Sequence, residues 1–287
     1  MKLLRHGPKG HEKPALLDAE GQVRDLSSLM TDITPATLSP AGQARLRSLD
    51  VSTLPVVPQG TLAVPWTGMG KFICIGLNYA DHAAESNQPI PKEPIVFMKP
   101  TGVAVGCNHA VVLPRDSVKT DWEVELGVVI GSTARYVSEA DALKHVAGYC
   151  VVNDISEREY QLERGGTWDK GKGCDTFGPV GPWLVTADEV GDPQDLPMWL
   201  EVNGKRWQDG STRTMIFGVA QLVSYLSRFM SLHPGDLITT GTPPGVGLGA
   251  KPHPVYLKPG DTMRLGIGKL GEQQQTVHAW DPALIDG

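Results

Sequence analysis

Apolar positions along this chain come mostly in short β-branched or alternating blocks, and seldom at helical spacing. "KFICIG" (71–76), "IVFMK" (95–99), "AVVLP" (110–114), "GYCVVNDIS" (148–156) and "PVGPWLVT" (179–186) read as strands, bounded by Gly, Pro and Asn. "MWLEVNG" and "RWQDG" suggest a hairpin, and the chain closes with strands and turns in "GDLITTGTPPGVG", "YLKPGDTMRLGIG" and "QQTVHAW". Helical spacing is best in "FGVAQLVSYLSRFM" (217–230); shorter helices are expected at "SEADALKHV" and "NYADHAAESN". Strands outnumber helices without βαβ alternation, which predicts an α+β, mostly β architecture.

The front of the chain differs. "PALLDAEGQVRDLSSL" reads as two short strands around Glu20-Gly21. "TLSPAGQARLRSL" reads as a helix with Ser39 as N-cap and Pro40 at its first position. The Pro-bearing "LPVVPQGTLAVPW" reads as a linker, so a small N-terminal domain is expected over 1–65 and a larger one over 66–287.

One block breaks the pattern. In "TDWEVELGVVI" (120–130), Trp122, Val124, Leu126, Val128 and Ile130 share one strand face. Glu123 and Glu125 share the other, their Cα atoms roughly 6.5–7 Å apart at strand rise. Two adjacent buried carboxylates repel, and each is costly to bury alone. They face solvent, or a cation neutralises them. Asp154, at the end of the run "YCVVND", offers a third oxygen ligand. Such an all-oxygen set suits Mg²⁺, Mn²⁺ or Ca²⁺ better than Zn²⁺.

Composition narrows the partners. The 287 residues carry a formal net charge of −6, which argues against nucleic acid or an anionic membrane as main partner. No apolar run approaches the ~20 residues of a membrane span, and "MKLLRHGPKGHEK" lacks the apolar core of a signal peptide. The four cysteines show no CxxC spacing, which fits a reduced, cytoplasmic protein with structural thiols. "GGTWDKGKG" has P-loop spacing, but Gly173 stands where Ser or Thr is required, and "GVGLGAK" is not a dinucleotide fingerprint.

Six segments, in order, resemble the fumarylacetoacetate hydrolase family over about residues 70–280: "GLNYADHAAE", "FMKP", "DWEVELGVVIG", "NDISEREYQ", "GKGCDTFGP" and "GDLITTGTPPGVG". The resemblance implies a mixed β-strand roll, a homodimer, and a metal, Mg²⁺ or Mn²⁺, on Glu123, Glu125 and Asp154. It implies that His82 and Glu85 form a lid pair that activates water and that Lys172 faces the developing enolate. Arg158, Gln161, Thr176 and Thr242 would contact substrate, with Lys99 adding positive charge near the pocket. The spacing of His82 and Glu85 places both on one face of a helical turn. The family acts on 2-oxo acids with a further carbonyl or double bond. "MKLLRHGPKGHEKPALLDAEG" and "ISEREYQLERGGTWDKGKGCDTFGPVGPWLVT" most resemble the branch hydrolysing 2,4-diketo-3-deoxy-L-fuconate or L-rhamnonate to pyruvate and lactate. Oxaloacetate decarboxylation and hydroxy-dienoate isomerisation use the same kind of site, and a non-catalytic metal-binding protein is the alternative outside enzymes.

Overall fold

The computed structural model describes residues 1–85 and 87–286. The glutamate-bearing segment forms the strand Val124–Ile130, flanked by antiparallel Val146–Asn153 and Leu237–Thr239. Leu237–Thr239 runs parallel to Phe72–Gly76, and Ile95–Lys99 closes that edge. In the other direction Val146–Asn153 pairs with Gly178–Thr186, followed by Lys2–His6, Lys13–Leu17, Val23–Asp25 and Val56–Val57. Ala104–Gly106 joins Gly178–Thr186 in parallel, making eleven strands. A second sheet of five strands includes the hairpin Pro197–Val202 and Lys205–Ser211, whose Asn203 and Gly204 both take positive φ, as a tight two-residue turn demands.

The alternation read from the sequence sorts the core. Trp122, Val124, Leu126, Val128 and Ile130 all enter one cluster with Met198, Leu200 and Leu265 of the five-stranded sheet. Val129 packs on the opposite face with Leu3, Leu38, Leu46 and Phe72. The expected long helix is shorter, Val219–Leu226; beyond it the N–H groups of Arg228 and Phe229 turn back to residues three positions earlier. Its buried Val219, Leu222, Val223 and Leu226 follow i, i+3, i+4, i+7 spacing into the first cluster.

Residues 1–65 contribute four strands to the eleven-stranded sheet. The stretch read as a linker is not free of structure. Val56–Val57 is an edge strand on Val23–Asp25, and Leu62 bridges to His6. Prolines at 55 and 58 flank this strand, where a missing N–H costs no ladder bond. Ser39 does cap the helix Pro40–Arg47, accepting the Gly42 N–H. We keep 1–65 and 66–287 as a proposed division. Among the described residues no helix is long and apolar enough to cross a membrane.

Candidate active site

The two segments carrying the expected ligands pair as one ladder, part, and pair again. Val124 lies opposite Asn153, and beyond the interruption Asp121 lies opposite Ser156. Glu123 and Asp154 occupy that interruption, joined by an Asp154 N–H to Glu123 C=O bond of 2.9 Å. Freed from the ladder, their side chains converge with that of Glu125, one oxygen from each lying within 4.8 Å of the others. All three residues are buried.

Cations crowd this cluster. Lys172 Nζ lies 2.6 Å from Glu123 Oε2 and 2.7 Å from Asp154 Oδ2. Arg158 Nη2 lies 2.7 Å from Glu123 Oε1 and 2.7 Å from Asp121 Oδ2. Lys99 Nζ sits 2.7 Å from Asp154 Oδ1 but directs its hydrogen bonds at the carbonyls of Ile155 and Lys172. Asp154 Oδ1 therefore remains a buried oxygen without a well-directed hydrogen bond. With all four carboxylates (Asp121, Glu123, Glu125, Asp154) ionised against three cations, one negative charge is left uncompensated.

The charges act unequally. Burial opposes ionisation of Glu123, but the Lys172 ammonium and the Arg158 guanidinium outweigh it and bring its pKa down to about 2. Glu125 has no cation in contact; burial, then Asp154 and Glu123, push its pKa well above the usual carboxylate range. Its one hydrogen bond comes from the Gly241 N–H at 2.9 Å. Gly241 has φ +92°, and a Cβ there would lie 2.9 Å from the Asn78 Cβ, so glycine suits the approach to Glu125. An all-oxygen trio with an orphaned oxygen, a raised carboxylate and excess negative charge fits a hard divalent cation.

Glu123 and Glu125 open on a cavity of about 540 Å³, within the usual range for small-molecule sites of roughly 300–1,000 Å³, with Asp154 buried behind them. His82 and Glu85, from the helix Ala80–Glu85, line the same cavity. His82 Nδ1 lies 3.2 Å from Glu85 Oε2. That hydrogen bond leads the causes that hold the Glu85 pKa below its ordinary value. The Gly245 N–H, from the C-terminal loop, also donates to Glu85. Asn78 anchors the start of this segment, donating to the carbonyls of Phe217 and Thr240 and accepting the Phe217 N–H.

Arg158 and Gln161 lie on one face of the helix Arg158–Leu162, and both line the cavity. Arg158 Nη1 donates to Gln161 Oε1 at 3.0 Å, so the Gln161 amide keeps its NH₂ for other partners. Thr242 lines the cavity too, its hydroxyl donating to Val124 C=O and accepting from Gln208.

Two expectations from the sequence need correction. Thr176 does not line the cavity; its hydroxyl accepts the Val112 N–H, and its φ of +65° marks a turn. Lys99 is fully buried behind Asp154, where it supports a carboxylate and does not touch the cavity. Asp121 was passed over. It is a fully buried carboxylate that holds Arg158 and the N–H groups of Gly247 and Leu248. Its signal in the sequence is its position two residues before Glu123, continuing the alternation of the pair.

The fumarylacetoacetate (FAA) hydrolase C-terminal family model matches residues 71–278. A Burkholderia multivorans protein, provisionally named as a hydrolase, is 64% identical over 280 residues, covering 97% of this chain and 99% of that one. The fumarylacetoacetate hydrolase of Exiguobacterium antarcticum superposes with TM-score 0.85 at 33% identity, covering 98% of this chain and all of that one. The maleylpyruvate hydrolase of Sphingobium sp. SYK-6, solved with manganese(II) and pyruvate, superposes with TM-score 0.81 at 28% identity over the same shares. Isomerases are named among the other solved neighbours. With this fold and these relatives, the chain belongs to the fumarylacetoacetate hydrolase family.

Proposed function

We propose that the protein is a metal-dependent hydrolase that cleaves a carbon–carbon bond of a 2,4-diketo acid. The observation that carries this reading is that the His82–Glu85 pair lines the same cavity as Glu123 and Glu125 of the carboxylate trio. A carboxylate-oriented imidazole is a base for water, and hydrolysis needs an activated water where decarboxylation and isomerisation do not. Glu123, Glu125 and Asp154 would hold Mg²⁺ or Mn²⁺. When bound, the ion supplies positive charge to the 2-oxo acid end of the substrate.

In this reading His82 takes a proton from water, which attacks the C4 carbonyl. Glu85 orients the ring and stabilises its protonated form. The C3–C4 bond then breaks, its electron pair passing to the pyruvate fragment as an enolate whose developing negative charge Lys172 stabilises, and the proton taken by His82 goes to C3 to release pyruvate. The Gln161 NH₂ and the remaining Nη1–H of Arg158 would donate to substrate oxygens, a reading supported by both residues lining the cavity. The resemblance favours 2,4-diketo-3-deoxy-L-fuconate or L-rhamnonate as substrate. For either, one water and one diketo acid give one pyruvate and one lactate.

A panel of 2,4-diketo acids, assayed for pyruvate with and without Mg²⁺, tests the assignment. Equal yields of pyruvate and lactate from the deoxysugar substrates are expected. Oxaloacetate turnover with no pyruvate from any diketo acid would replace hydrolase by decarboxylase.

The named isomerases among the structural neighbours favour a second reading, double-bond migration in a hydroxy-dienoate. Glu85→Gln separates the classes, because it keeps the shape of the pair but removes the charge behind His82. It should slow diketo acid cleavage by roughly tenfold or more, the scale of a weakened general base, and leave oxaloacetate decarboxylation or isomerisation nearly unchanged. The reverse pattern would exclude hydrolysis.

A further inference from the structure

The carboxylate of Asp121 is fully buried, and both its oxygens are engaged. Oδ1 accepts the N–H groups of Trp122 at 2.8 Å and Gly247 at 2.6 Å. Oδ2 accepts the Leu248 N–H at 3.0 Å and Arg158 Nε at 2.8 Å, with Arg158 Nη2 at 2.7 Å. That same Nη2 lies 2.7 Å from Glu123 Oε1. Arg158 is thus shared between a carboxylate proposed to hold the ion and one that is not.

The sharing matters because Glu123 is contested on both oxygens. Lys172 takes Oε2 and Arg158 takes Oε1. A ligand carboxylate that fully neutralises a guanidinium has less charge to offer a divalent cation, and both interactions are strong in a buried setting. Asp121 supplies a second anion for the same guanidinium. The geometry is fixed from two sides: the bonds from Gly247 and Leu248 hold the Asp121 carboxylate, and Gln161 holds the far nitrogen of Arg158. Gly247 has no room for a side chain, since a Cβ there would lie 2.0 Å from the Val255 carbonyl oxygen and 2.8 Å from Asp121 Oδ1.

We infer that Asp121 is a positioning residue that compensates Arg158, so that Glu123 stays available to the ion, while it pins the loop over the cavity. The inference rests on Glu123, Glu125 and Asp154 holding a divalent cation. Without Asp121 the guanidinium has, among the described residues, only Glu123 as an anionic partner and competes with the ion for it.

Calorimetric titration of the full chain with Mn²⁺, without substrate, tests this. Asp121→Asn should bind Mn²⁺ about 10–100-fold more weakly, the usual cost of losing a partner behind a metal ligand. Asp121→Asn combined with Arg158→Gln should recover most of that loss, because no competing guanidinium remains. A purely structural Asp121 would not give that recovery. Wild-type affinity in Asp121→Asn, or a double variant no better than the single one, overturns the inference. If Asp121→Asn fails to fold by its melting curve, the double variant, which removes both buried charges, decides: near-wild-type affinity supports the inference and a hundredfold loss sinks it. Failure of the wild type to bind Mn²⁺ would instead remove the metal assignment itself.

Discussion

Stripping divalent metal with a chelator should abolish turnover, and Mg²⁺ or Mn²⁺ should restore it. The loss should be close to complete, because the ion would supply the charge that holds the 2-oxo acid end and lowers the barrier to C3–C4 cleavage. The site also predisposes the apo protein to a particular thermal response. Glu125 is buried beside Asp154 and Glu123 without a cation in contact, and Asp154 Oδ1 lacks a directed hydrogen bond. A ligand that binds the folded state alone stabilises it by RT ln(1 + [L]/Kd), so saturating Mg²⁺ at about 100-fold over Kd should add about 2.7 kcal/mol. The melting temperature should therefore rise with metal concentration in the wild type and stay flat in Glu125→Ala. Full activity in metal-free protein would reject the mechanism.

His82→Ala should lower kcat by roughly 10²–10⁴-fold, the range for removal of a general base, and leave Mn²⁺ affinity near that of the wild type. His82 lines the cavity that Glu123 and Glu125 also line, on a short helix tied down by Asn78 and by the Glu85–Gly245 bond. None of those ties uses the imidazole, so its removal should spare the fold. A fall in melting temperature with unchanged turnover per folded molecule would make His82 structural. Measuring both on one preparation decides.

The outcome also separates local from tertiary information. The strand face shared by Trp122, Val124, Leu126, Val128 and Ile130 was legible because side-chain alternation has a period of two, whatever the strand pairs with. The pairing of His82 with Glu85 was legible because three residues make nearly one helical turn. The carboxylate trio was legible as chemistry, since buried anions demand compensation. Several site residues took their roles from family resemblance, which carries position along the chain and not contact. That is why Thr176 is expected against the substrate and Lys99 near the pocket. Lys99 points behind Asp154, and Thr176 serves the Val112 N–H.

By itself, then, the sequence determined the β-rich class and the two faces of the central strand, and it brought forward three carboxylates; the lid pair and the metal role of the trio came with the family resemblance. Each depends on residues close in sequence or on the charge requirement of a few side chains. Only the tertiary structure decided that residues 1–65 extend the main sheet, through Lys2–His6 beside Gly178–Thr186. It also decided that Asp121 meets Arg158 and a loop 126 residues away at Gly247. The physical reason is common to both. Local periodicity states which way a side chain faces, but strand order and the placement of buried charges depend on which distant segments close over them, and no short window of sequence contains that.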